Sequence, residues 1–366
     1  MGKRIIISGG GTGGHVYPAI AIADALKQAD ATTEILFVGA EGKMEMDKVP
    51  EAGYPIEGLW ISGIQRRLTM DNLMFPFKLI SSIWKAFSII RQFKPDAVVG
   101  VGGYASGPIM YAANQAGIPT LIQEQNGYAG LTNKLLASKA SAICVAYPDM
   151  QKYFPEDRIH FTGNPVRKDI TELEKLREEA FDHFGLSSSR KTVLVIGGSL
   201  GALTVNESIA KNVDTLLEKG YQLIWQTGKY YSDRFQQEFA HREPEGLKVM
   251  PFIRRMDYAY ACADVVVSRA GALSISELCL TGKPSILIPS PNVAEDHQTK
   301  NALALEKEEA AVMVKDTAAR EQLGEVLMRL LEDEQQQKQL QQAILKLAKP
   351  KAAQEIAEVI IQLPTK

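Results

Sequence analysis

The chain has 366 residues, 45% hydrophobic and 23% charged, with a formal net charge of −2. Length alone argues for two domains of similar size, each able to bury its own core. The near-neutral balance excludes a dedicated nucleic-acid binder, which needs an excess of Lys and Arg to neutralise phosphates. Cys144, Cys262 and Cys279 are odd in number and far apart, so neither a disulfide framework nor a structural zinc site is indicated.

In chain order, short β-branched or apolar runs alternate with helical patterns. Arg4 to Ser8 reads as a strand, Pro18 to Gln28 as a helix, and Glu34 to Val38, Ala97 to Val101, Thr120 to Gln123 and Ala142 to Val145 as further strands. The alternation predicts βαβ units and a parallel sheet. Gly163-Asn164-Pro165 carries turn chemistry ahead of a charged run, and the joint is placed there, giving domains 1–164 and 165–344. The pattern restarts at Thr192 to Ile196, followed by a helical run from Leu203 to Leu217 and strands at Gln222 to Gln226, Lys248 to Met250, Asp264 to Ser268 and Ser285 to Ile288. A last helical stretch is broken at Pro350, and its final piece, about 345–366, is expected to pack back on the first domain. The fold class is α/β, with two doubly wound Rossmann-like halves.

The opening apolar run, Ile5 to Ile7, is too short for a signal peptide, and no stretch reaches about 18 uninterrupted apolar residues. The expectation is a protein that stays in the cytoplasm unless it binds a membrane from the side. One segment invites that: Leu73 to Phe93 holds Phe75, Phe77, Leu79, Ile83 and Trp84, interleaved with Lys78 and Lys85. It fits a core helix with snorkelling lysines. It equally fits a helix lying on an anionic membrane, with Arg66, Arg67, Lys134 and Lys139 adding charge.

Chemistry concentrates in loops after strand ends, where open α/β sheets bind ligands. The first, Ser8 to His15, is a glycine loop opening a helix, a natural anion cradle. Gly9, Gly11 and Gly14 satisfy G-x-G-x-x-G, but Glu41 lies beyond the usual ~20 residues for a ribose-binding carboxylate, which disfavours a dehydrogenase. A second glycine loop stands at Gly197 to Ala202. No Asp-x-Asp pair offers a metal-carboxylate clamp, so neither metal nor cofactor is expected.

Seven collinear segments, GGGTGGHVYPAIAIA, GGYASGP, EQNGYAGLTNKLLA, GNPVR, GGSLGA, SRAGALSISEL and EDHQTKNA, span nearly the whole chain. They resemble the MurG family within glycosyltransferase family 28. The resemblance implies a GT-B fold, two Rossmann-like domains facing a central cleft. It also implies inverting transfer of GlcNAc from UDP-GlcNAc to lipid I, the polyprenyl-pyrophosphate-linked muramyl acceptor, giving lipid II at the cytoplasmic face of the membrane, with other wall-synthesis proteins as partners. By the same resemblance, Ser199 and Arg167 would meet the diphosphate, and Phe252 and Ile253 the uracil. Ala272, Leu273, Ser274, Ile275, Ser276 and Glu277 would underlie the nucleotide, Glu277 accepting from the ribose. Gln298, Thr12, Gly13, Gly14 and Asn126 would hold the sugar. Leu200 and Gln123 depart from the family pattern, which favours Gln and His there. Inversion needs a base for the acceptor hydroxyl: His15 is the first candidate and Glu124 the reserve. A UDP-GlcNAc 2-epimerase, a diacylglycerol glycosyltransferase and a non-catalytic nucleotide-sugar sensor stand as alternatives.

Overall fold

The structure, a computed structural model, describes residues 2–63, 70–167, 170, 172–293 and 296–364. It divides into two compact units, Met1–Arg167 with Lys351–Lys366, and Lys168–Pro350.

In the first unit, seven strands form one parallel sheet: β1 (Arg4–Gly9), β2 (Glu34–Ala40), β3 (Ile56–Leu59), β4 (Ala97–Gly102), β5 (Thr120–Glu124), β6 (Ala142–Val145) and β7 (Ile159–Phe161), in the order β3-β2-β1-β4-β5-β6-β7. Helices α1 (Gly13–Ala29), α2 (Glu45–Glu51), α3 (Met70–Phe93), α4 (Ser106–Gln115) and α5 (Leu131–Leu136) connect them. Alternation along β1 separates two cores. Ile5 and Ile7 pack with Val16, Ile22 and Leu26 of α1, while Ile6 packs with Ile89 and Ile90 of α3 and Ile109 and Met110 of α4. The result is a three-layer sandwich in which the sheet is covered on both faces, as parallel sheets require.

The second unit repeats the plan with β8 (Thr192–Ile196), β9 (Gln222–Gln226), β10 (Leu247–Met250), β11 (Val265–Ser268), β12 (Ser285–Leu287) and β13 (Val312–Met313), ordered β10-β9-β8-β11-β12-β13. Its helices are α6 (Leu173–Phe184), α7 (Leu203–Ala210), α8 (Val213–Glu218), α9 (Ser232–Phe239), α10 (Met256–Cys262), α11 (Ala272–Thr281), α12 (His297–Lys307), α13 (Ala319–Glu332) and α14 (Glu334–Leu345). The chain ends with α15 (Ala352–Gln362), whose Ala353, Ile356, Ala357 and Ile360 join the α1 side of the first core.

Three sequence expectations change. The run Leu203 to Leu217 is two helices, because the Asn212 side chain donates back to Ser208 O at 2.8 Å and ends the first. Helix α1 starts at Gly13 rather than Pro18, the Thr12 carbonyl accepting from the His15 and Val16 amides. The strands β3, β7 and β13 were not visible in the sequence: each has four residues or fewer and lies at a sheet edge, where the apolar signal is weakest.

Both sheets reverse direction of growth at one place, between β1 and β4 and between β8 and β11. Such switch points leave a crevice beyond the carboxyl ends of the strands. Each glycine loop sits at one.

Candidate active site

In the first unit, the loop after β1 and the loop after β4 meet at the switch point. Gly102, at φ +96°, carries no Cβ because one would press on Cδ2 and Nε2 of His15. The imidazole therefore lies directly against backbone. Its Nδ1 is 3.3 Å from Thr12 Oγ1. Burial pulls its pKa below the usual histidine value, and a weaker opposing effect comes from a hydrogen bond to the Gly10 backbone, which favours the protonated ring and so is made with the carbonyl. The ring is neutral at neutral pH, with one nitrogen able to accept a proton. Thr12, Gly13 and Gly14 form the exposed lip and first turn of α1 beside it.

Glu124 is tied to the loop that follows β5. Its buried carboxylate accepts from Asn126 N (3.1 Å), Asn126 Nδ2 (3.4 Å), Gly130 N (2.9 Å) and Asn133 Nδ2 (2.8 Å), so its oxygens organise the loop carrying Asn126. Beneath that loop runs a buried amide network. Gln125 donates to Val101 O and to Gln123 Oε1, Gln123 Nε2 to Asn164 Oδ1, and Asn164 Nδ2 to Gln125 O. The glutamine at position 123 is thus a working member of the support rather than a gap in it. Arg167 belongs to this first unit, its guanidinium 5.1 Å from the Tyr17 ring centroid on α1.

In the second unit, Gly197–Ala202 joins β8 to α7. Gly197 N bonds Gln226 O, and Lys229 N bonds Ser199 O. Among the described residues, no protein group accepts from the amides of Gly198, Ser199 and Leu200. Unpaired amides ahead of a helix form an anion cradle. Gly271 caps α11, placing Ala272, Leu273 and Ser274 on its first turn; Ala272 and Ile275 are buried, and Ser276 Oγ donates to Ala272 O. Glu277 Oε2 accepts from Tyr260 Oη at 3.0 Å. Gln298, on the first turn of α12, accepts from Ser290 N at 2.9 Å.

The pair after β10 divides. Phe252 is partly exposed, but the Ile253 side chain is buried and its N–H is held by Gln226 Oε1 at 3.1 Å. Any contact from Ile253 to a base would run through its carbonyl.

Two supporting residues were not singled out from the sequence. Glu45, fully buried on α2, bridges Gly11 N (2.9 Å) and Ala40 N (3.0 Å). Arg269 ties the end of β11 to Ile288 O (3.0 Å) and pairs with Asp316 (2.5 Å), which also accepts from Thr204 of α7. For Arg269 the signal was its place inside SRAGALSISEL. For Glu45 no local pattern marks it, since its partners lie 34 residues upstream and on a neighbouring strand end.

The segment Leu73–Phe93 is long and apolar enough to cross a membrane by length and composition. Part of it nonetheless belongs to the fold: Ala86, Ile89 and Ile90 are buried, and Ser82 Oγ donates to Trp60 O. Phe75 and Leu79 also turn toward the core, which removes them from the proposed surface patch. Ile83 is half-buried. Phe77 (63% exposed), Trp84 (76%), Leu73 and Ile80 face outward. Lys85 lies 3.4 Å from Glu41, and Lys78 donates to Ser62 Oγ. Lys134 stacks on the rings of Tyr128 and Tyr153, so its charge is engaged, whereas Lys139 is exposed. Arg66, Arg67 and Glu295 lie outside the described residues.

Comparison with known proteins follows the same division. Residues 5–145 match the glycosyltransferase family 28 N-terminal domain, and residues 192–356 its C-terminal domain. The chain is 56% identical, over 98% of its length and 96% of the relative's, to the UDP-N-acetylglucosamine–N-acetylmuramyl-(pentapeptide) pyrophosphoryl-undecaprenol N-acetylglucosamine transferase of Cytophaga hutchinsonii. Among solved structures, MurG from Acinetobacter baumannii is similar at a TM-score of 0.75 and 30% identity, covering 99% of this chain and all of that one. A UDP-N-acetylglucosamine 2-epimerase reaches a TM-score of 0.69 over 98% of this chain and 95% of that one at only 14% identity, a likeness of fold alone. The two parallel sheets are those of a GT-B protein, and the chain belongs to the MurG family of glycosyltransferase family 28.

Proposed function

We propose that the protein is the inverting transferase that moves GlcNAc from UDP-GlcNAc to the C4 hydroxyl of the muramyl sugar of lipid I, forming lipid II. The observation that carries this reading is the 56% identity, over nearly the full length of both chains, to a transferase named for that reaction.

The residues divide the chemistry as follows. UDP sits on the second unit, its diphosphate on the open amides around Ser199 and its nucleoside over the start of α11, with Glu277 accepting from the ribose and Phe252 flanking the base. Arg167 adds a cation for the diphosphate, Gln298 contacts the sugar, and Thr12, Gly13, Gly14 and Asn126 complete its surroundings. The neutral His15 imidazole takes the proton of the acceptor hydroxyl as that oxygen attacks the anomeric carbon. The bond to UDP breaks on the opposite face, and its electron pair leaves with the diphosphate, whose charge is met by helix N-termini and amides. The outward residues of α3, Phe77, Ile80 and Trp84, rest on an anionic membrane at its cytoplasmic face, where a polyprenyl-linked acceptor resides.

Incubation with UDP-GlcNAc, with and without a lipid I analogue, tests the reading. UDP release that depends on the acceptor, and persists in EDTA, is the expected result. Formation of N-acetylmannosamine without acceptor, or release with diacylglycerol only, would overturn it.

A further inference from the structure

Glu45 is fully buried, and among the described residues its carboxylate enters no ion pair. A buried carboxylate without a counter-charge is costly unless hydrogen bonds replace its water. Here two backbone amides do so, from different segments: Gly11 N in the first glycine loop and Ala40 N at the end of β2. Glycine stands on both sides of the carboxylate. A Cβ on Gly10 would collide with Glu45 Oε1, and one on Gly39 would press on Glu45 Cγ. The side chain is a wedge between two strand ends, and the chain has been kept clear to admit it.

The wedge reaches the proposed base through two backbone positions. Gly10 packs on Glu45 and its amide donates to Gly102 O at 3.3 Å, and Gly102 lies against the edge of the His15 ring, where a Cβ would press on Cδ2 and Nε2. We infer that Glu45 is a positioning residue for the transfer reaction: it clamps Gly10 and Gly11, and through the Gly10 amide the Gly102 backbone on which the His15 ring rests, so that the ring keeps the orientation in which it meets the acceptor hydroxyl. This inference rests on the reading of His15 as the base.

Glutamine at this position keeps the shape but not the chemistry. Both carboxylate oxygens accept, whereas an amide must turn an NH2 toward Gly11 N–H or Ala40 N–H, and two donors then face each other. Glu45→Gln should lower kcat by about 10- to 100-fold, the size of effect that a misplaced catalytic group produces. The Kd for UDP should stay within about twofold, because the amides and the α11 residues assigned to the nucleotide lie on the other unit. Gly10→Ala, which pushes a methyl onto Glu45 Oε1, should reproduce the kcat loss by an independent route. In the His15→Ala background, Glu45→Gln should remove nothing further, since a residue that acts through His15 has nothing left to position.

A wild-type kcat for Glu45→Gln when His15→Ala is slow overturns the inference alone. So does an equal loss in both backgrounds, a rise in donor KM in place of the kcat loss, or failure of both Glu45→Gln and Gly10→Ala to fold, which would make the wedge a support of the fold only. A wild-type kcat for His15→Ala instead overturns the reading of His15, and the inference with it.

Discussion

The two glycine loops occupy equivalent places, after the first strand of each unit and at the switch point of each sheet, yet they are filled differently. In the first, the Gly10 and Gly11 amides are taken by the Gly102 carbonyl and the buried Glu45 carboxylate. In the second, the amides of Gly198, Ser199 and Leu200 meet no protein acceptor among the described residues, and the nearby Asp316, bonded to Thr204, is matched by Arg269. One loop gives its first two amides to the protein's own oxygens, a single carboxylate among them, beside a neutral histidine. The other keeps donors for a ligand anion. On the proposed reading, similar sequence punctuation serves proton transfer in one unit and leaving-group binding in the other.

The sharpest break of this contrast is His15→Ala. If the first loop serves chemistry, turnover should fall by about 10²- to 10⁴-fold while calorimetry shows unchanged UDP binding. A second substitution separates the surface of the first unit from its catalytic loop. Replacing both Phe77 and Trp84 with Ser removes apolar area worth about 1.5–3 kcal/mol per side chain, so partitioning onto anionic liposomes should weaken by at least about tenfold, with activity on a soluble acceptor retained.

The complementary break falls on the second loop. Gly201 has φ +92°, and a Cβ there would collide with Thr227 O. Gly201→Val should therefore raise the Kd for UDP by about tenfold, the equivalent of about 1.4 kcal/mol, and calorimetry would show it. The smallest effect is a shift in pH dependence. Because burial lowers the His15 pKa, the imidazole stays neutral to a pH below about 6.5, and the acid limb of kcat/KM should lie below that value while UDP binding stays flat through it. Stability follows the same sign: the unfolded chain takes up this proton more readily, so His15 stabilises the fold above its unfolded pKa and that contribution is lost as pH falls.

Much of the site was legible because ligand loops in parallel α/β folds must follow strand ends, and strand ends are marked by glycine after an apolar run. The loops Ser8 to His15, Gly197 to Ala202 and Ser268 to Ala272 were read that way, while the ligand assigned to each residue within them came from the family resemblance. The roles within those loops were less legible. Glu124 reads from the sequence as a carboxylate beside a loop, and only its four donors assign it to holding that loop. Phe75 and Phe77 are two residues apart on one helix and look alike in composition, but one turns to the core and the other to solvent.

The sequence by itself determined the alternation of strands and helices, the restart that makes two units, and the family, because hydrophobic period, glycine punctuation and collinear motifs are local properties. Tertiary structure alone decided what fills each loop. The partners of Glu45 lie in two other segments, the Gln123–Gln125–Asn164 network closes over 41 residues, and Asp316 reaches Arg269 across 47. A buried polar group declares its role only when the chain has folded and its donors can be named, since desolvation makes each of them obligatory.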